Sequence, residues 1–155
     1  MHLARPATQQ RGFALLIALI LTSVVLALGM ALLDIAYKQV LLSSSAKNSQ
    51  YAFYNADSAL ECALYYDQQQ GAFYYGTTYA GSVQCGNLNV TNFAANQDSS
   101  QRTTVFSVPC AGGGTSADVT VVKQSSGSTN IYANGYSSCL AANTTRIERG
   151  LKAKY

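Results

Sequence analysis

From Phe13 to Leu33 the chain carries no charge, and its only polar side chains are Thr22 and Ser23. The run is 21 residues long. As a helix it would measure about 32 Å, which matches a hydrocarbon core of about 30 Å, so a membrane-spanning helix is predicted. The helical pattern continues past Asp34 to about Asp67, without proline and with Gly29 as its only internal glycine. Ser43–Gln50 is polar all round, which suits exposure near a membrane surface. Beyond it Phe53, Ala56, Leu60, Ala63 and Leu64 fall on one apolar stripe at helical spacing. Tyr51, Tyr54, Ser58, Cys62 and Tyr65 form a second face. Cys62 among these tyrosines suggests that a disulfide-tethered segment covers that face.

Gln68-Gln69-Gln70-Gly71 ends the pattern, with Gly71 suited to a left-handed terminator. Residues 68–101 are rich in Gly, Asn, Ser and Tyr and read as a long loop, with a short strand at Ser82–Cys85 or Leu88–Val90. Loops of that length are usually functional or tethered. From residue 102 to 155 the period changes to two. Thr103–Val108, Ala117–Lys123, Thr129–Tyr136 and Thr144–Lys152 read as strands, separated by Gly112-Gly113-Gly114 and by Ser- and Asn-rich turns. Short connections imply an antiparallel meander. The expected fold class is α+β: one long N-terminal helix, membrane-spanning in its first half (13–33) and extracytoplasmic in its second (34–67), packed on a four-stranded antiparallel sheet.

The leader 1–12 holds His2, Arg5 and Arg11 and no acid, which predicts a cytoplasmic N-terminus, with the chain after Leu33 outside. A secretory signal would have a shorter apolar core, ending at a small-x-small cleavage site. The junction Arg11-Gly12-Phe13, basic residue then Gly-Phe directly before the apolar run, resembles the cleavage site of type IV prepilins and pseudopilins. The resemblance extends through Gln50–Leu64, an Ala-rich stretch with a small-Asp/Glu-Ser/Ala core, and in outline to the tail Arg146–Leu151. It implies a pilin-like ladle and a membrane peptidase that cuts between Gly12 and Phe13 and methylates the Phe13 amine. It also implies partners: other pilin subunits through the N-terminal helix, an inner-membrane assembly platform, and the lipid bilayer before assembly.

One departure narrows the expectation. The fifth mature position, where major pilins carry a glutamate, is Ile17. Members lacking that glutamate tend to be minor components, so the resemblance implies a minor pilin or pseudopilin. Such a subunit would prime or cap a filament used for adhesion, twitching motility, DNA uptake or secretion. The alternative is a single-pass membrane-anchored extracellular binding module that never assembles and uses the Tyr- and Gly-rich segment 71–81 as its contact surface.

Composition changes this picture in two places. Ten Lys+Arg against seven Asp+Glu give +3, and removal of Arg5 and Arg11 with the leader leaves +1. Net charge therefore gives no reason to expect a nucleic-acid partner. The basic cluster Arg146, Arg149, Lys152 and Lys154 reads either as a DNA-uptake or subunit contact patch or as an edge strand protected by charge. The only histidine is His2, outside the mature chain, and no cofactor or metal motif is present. The Asp57/Glu61 pair reads as a helix surface, so a non-enzymatic protein without cofactors is expected. Four cysteines, Cys62, Cys85, Cys110 and Cys139, lie beyond the apolar run at separations of 23, 25 and 29. On the outer side of a membrane an even count reads as two disulfides with three possible connectivities. Cys62–Cys85 and Cys110–Cys139 are favoured, because they would staple the helix to the following loop and one part of the sheet to another.

Overall fold

The computed structural model describes residues 9–155, and the first part of the leader, residues 1–8, lies outside the described residues. Helix α1 runs from Gln9 to Gln68, starting before Phe13, and the chain divides into two compact units at Ser44/Ser45. In the first unit every apolar side chain from Phe13 onward is exposed. Its hydroxyls are satisfied locally: Thr22 Oγ1 donates to the Ala18 carbonyl (2.9 Å) and Ser23 Oγ to that of Ile20 (2.8 Å). Hydroxyls bonded back to the helix add little cost in an apolar surround. Asp34 and Lys38, exposed and one turn apart, form an ion pair at 2.7 Å.

In the second unit the end of α1 packs on a sheet, and the expected stripe is met at Ala56 and Ala63 and in part at Leu60 and Leu64, but not at Phe53. The buried line is Ala52, Ala56, Ala59, Ala63 and Asp67, while Phe53 is 45% exposed and Leu60 and Leu64 only flank the core. The helix presents its smallest side chains so that its backbone can approach the sheet. Opposite them is Gly135, where a Cβ would overlap the Ala52 carbonyl oxygen and the Ala56 nitrogen. Asn55 fixes the same end by donating from Nδ2 to the Tyr136 carbonyl (2.7 Å). At the other end Asp67, 1% exposed, accepts from Lys123 Nζ at both oxygens (2.8 Å each) and from the Tyr155 hydroxyl (2.6 Å). The helix stops at Gly71 (φ 62°), where Ala72 N donates back to the Tyr66 carbonyl (2.9 Å) and satisfies an end group.

After the helix, β1 (Gln84–Cys85) and β2 (Leu88–Asn89) make a small hairpin. The main sheet has five strands, β3 (Thr91–Gln97), β4 (Gln101–Pro109), β5 (Thr115–Gln124), β6 (Thr129–Tyr136) and β7 (Glu148–Lys154), in sequential antiparallel order. The expected four-stranded sheet is therefore one strand short. The missed strand, Thr-Asn-Phe-Ala-Ala-Asn-Gln, is exposed along its whole length and shows no alternation. It is recruited by backbone pairing to β4, with a register shift between Thr91 and Ala94 at Asn92 (φ 53°). The last strand begins later than expected, so Arg146 lies in the loop before it.

Between helix and sheet, Phe73 and Phe106 stack at 5.9 Å, and Val119, Val121, Ile131, Ala133 and Val83 complete the core. Disulfides join Cys62 to Cys85 and Cys110 to Cys139, with Cα separations of 5.6 and 6.2 Å. The first ties the helix to the hairpin. The second ties the end of β4 to the β6–β7 loop over Gly114, whose absent side chain leaves room for the Cys139 carbonyl. Each closes a loop worth about 3 kcal/mol in the chain-entropy account.

The contact at Gly135 generates a direct prediction. Gly135→Val forces the helix off the sheet and should destabilise by about 3 kcal/mol, at the upper end of core overpacking. Gly112→Ala, in open space, should leave the urea midpoint unchanged or slightly higher. Equilibrium unfolding followed by circular dichroism checks both.

Candidate functional site: an unpartnered apolar helix and a tyrosine-bearing domain

The N-terminal candidates all lie on α1. Gly12 is helical with open space around it, Phe13 is 70% exposed and Ile17 41% exposed. With a mean hydropathy of 2.7 the stretch is long and apolar enough to cross a membrane. In water such a surface is a liability, because each fully exposed Leu, Ile or Phe forgoes about 1.5–3 kcal/mol of burial. The segment can enter lipid or pack against other apolar helices.

On the second unit, Tyr51, Tyr54 and Tyr65 are each more than half exposed, so the tyrosine face is not covered as expected. The tethered segment meets only the helix flank, where Tyr66 receives a hydrogen bond from Gln84 N at its hydroxyl (3.1 Å) and packs edge-on to Tyr79 (6.4 Å). Geometry explains the difference: Cys62 lies on that flank, half-buried between the exposed tyrosine row and the alanine line. Asp57 and Glu61 sit on the helix surface, and among the described residues no three His, Cys, Asp or Glu side chains cluster to hold a metal.

The basic cluster is dispersed. In the register of β7 against β6, Glu148, Lys152 and Lys154 share the sheet face turned away from α1, and Arg149 lies on the helix side, where its Nε donates to Ser49 Oγ (2.8 Å). Lys152 Nζ covers the Tyr132 ring at 4.9 Å, and Arg146 stacks on Tyr136 at 3.6 Å. Such cation–π contacts at exposed sites contribute about 0.5–1 kcal/mol.

Sequence reasoning missed a polar hub on this outer face. Asp118 accepts from Ser107 Oγ (2.6 Å) and from the Tyr136 hydroxyl (2.7 Å), and Asn92 Nδ2 donates to Ser107 Oγ (3.3 Å). Ser, Asp and Tyr on alternate positions of separate strands leave no local motif, and only the strand register brings them together. Partial burial, followed by the hydrogen bond to Asp118, pushes the Tyr136 phenol up to about 12. Burial and the hydrogen bond to Asp67 push the Tyr155 phenol above its usual range.

Both phenols are held neutral by the fold, so their contribution is complete below the unfolded value near 10 and is lost as pH rises through the folded values. The urea midpoint should therefore fall steeply above about pH 10. Tyr136→Phe and Tyr155→Phe should each cost about 1 kcal/mol at pH 8 and flatten the alkaline fall. Denaturation series at pH 8, 10 and 11.5 check this.

Comparisons of the chain with protein-family models, curated proteins and solved structures return no match.

Proposed function

We propose that this chain is a minor type IV pilin-like or pseudopilin-like subunit, held in the inner membrane by Phe13–Leu33 and later incorporated into an extracellular filament. The observation that carries the reading is the junction Arg11-Gly12-Phe13 at the head of an uninterrupted apolar helix. An all-exposed apolar segment on the helix that also docks a disulfide-bonded antiparallel domain supports it. In this reading α1 is the assembly element. A prepilin peptidase cuts after Gly12 and methylates the Phe13 amine. Neighbouring subunits then replace lipid around Phe13–Leu33 without re-exposing it to water. The task needs no catalytic group or cofactor of the chain's own.

Ile17 sets the place of the subunit. An acid at that depth costs about 2.5–3.5 kcal/mol unless it is paired. A subunit with no neighbour above it lacks such a pairing partner, so an apolar residue suits a position at or near the tip. The Phe13 amine remains free to meet an acid on the subunit below.

Intact-mass analysis of the chain recovered from cells carrying a prepilin peptidase should give Phe13–Tyr155 plus one methyl group. A mass retaining residues 1–12 favours the anchored binding module, which predicts label over the envelope and none on sheared filaments. Quantitative mass spectrometry of purified filaments should find this chain far below the most abundant subunit. Finding it as the most abundant subunit would remove the tip placement.

A further inference from the structure

The loop after α1 is held by a cation without an acid. Arg102, on the helix-facing side of β4, is 6% exposed. Its Nη1 donates to the Tyr74 carbonyl (2.7 Å) and to the Thr77 carbonyl. Its cross-strand partner is Lys123, and Lys123 takes Asp67 as its counter-ion. Among the described residues the ion pairs are Asp34–Lys38 and Asp67–Lys123, so the Arg102 guanidinium is matched by carbonyl dipoles alone. A buried charge without an opposite charge is costly, and dipoles offset only part of that cost.

Arg102 also lies at the floor of an open surface cavity of about 310 Å³ whose other lining residues, Gly76, Thr77, Thr78, Ala95 and Gln97, are exposed. Gln97 Oε1 accepts from Gly76 N (3.0 Å), and its Nε2 makes no hydrogen bond among the described residues. The lining thus combines a guanidinium, the Thr78 hydroxyl, the Thr77 hydroxyl, which donates to the Tyr74 carbonyl (3.5 Å) and keeps its acceptor capacity, and a free amide donor, with Ala95 as its one apolar side chain. A guanidinium fork matches a planar carboxylate in two parallel hydrogen bonds. The remaining lining matches hydroxyl groups and has no apolar slot for the terminal side chain of a peptide.

We propose that this cavity binds a carboxylate-bearing sugar, a uronic-acid unit of an acidic polysaccharide, with Arg102 on the carboxylate and Thr77, Thr78 and Gln97 on the ring hydroxyls. Access to such a polymer rests on the extracellular placement proposed above. The binding itself is measured on isolated protein and stands or falls apart from cleavage and assembly.

The test is a titration of the full chain in detergent, followed through the Arg102 Nε–Hε resonance, with galacturonate, methyl galactoside, acetate and N-acetyl-Ala-Ala as probes. Galacturonate should give a saturable shift, acetate and the peptide should bind about tenfold more weakly, and methyl galactoside should leave the resonance unmoved. Thr78→Val should weaken galacturonate binding about tenfold with the rest of the spectrum unchanged, and Arg102→Lys should do so by losing the fork while keeping the charge. No saturable shift with galacturonate would overturn the site. Equal binding of acetate or of the peptide would overturn the sugar assignment. Full affinity in Thr78→Val would overturn the placement of the ligand.

Discussion

The domain depends on how closely the second half of α1 lies against β6. Ala52 and Ala56 bring helix backbone into the space that a side chain at position 135 would fill. That approach sets the depth of the layer behind it, which is why one stacked pair, Phe73 and Phe106, with a few branched residues is enough to fill it. An alanine row buries little area per residue, so hydrophobic transfer alone holds the helix weakly. The structure compensates at both ends and in the middle. Asn55 bonds the Tyr136 carbonyl, the Cys62–Cys85 disulfide ties the helix to the hairpin, and Asp67 is gripped by Lys123 and Tyr155. Removing one partner of that buried pair would leave an uncompensated charge, which typically costs about 3–5 kcal/mol.

The two parts of α1 meet different surroundings with the same backbone. From Ala52 onward the helix has a sheet to bury against, while Phe13–Leu33 has no apolar partner among the described residues. An apolar segment of this length is stable only where another solvent or another helix covers it. The proposed sequence of lipid first and neighbouring subunits afterwards meets that requirement without any change in the fold of the domain. The polar side chains within the segment, Thr22 and Ser23, are already satisfied by the helix and so place no demand on either environment.

Much of the architecture was legible in the sequence where side-chain period and burial coincide. The apolar run, the stop at Gly71 and the alternating strands β4 to β6 are of this kind. Legibility failed where backbone geometry decides. The strand Thr91–Gln97 has no buried face to impose a pattern, and only its pairing to β4 makes it a strand. The helix stripe was legible at Ala56 and Ala63 but not at its edge, where large Phe53 marks hydrophobicity yet is exposed, whereas close packing selects Ala52 and Ala59. Asp118 with Tyr136, and Arg102 with the loop carbonyls, join residues that are far apart in the chain, and no spacing rule reaches them. The N-terminal junction is the opposite case, since its whole signal is local.

The proposal tested most directly is that Phe13–Leu33 spans a membrane and that the disulfide-bonded domain lies outside it. All four cysteines are paired, so a thiol introduced by Ser126→Cys, in the exposed turn between β5 and β6, would be the only reactive one. A charged maleimide that cannot cross the inner membrane should label this variant in cells whose outer barrier has been opened, before any lysis. Labelling that appears only after the inner membrane is disrupted would put the domain on the cytoplasmic side and contradict the account.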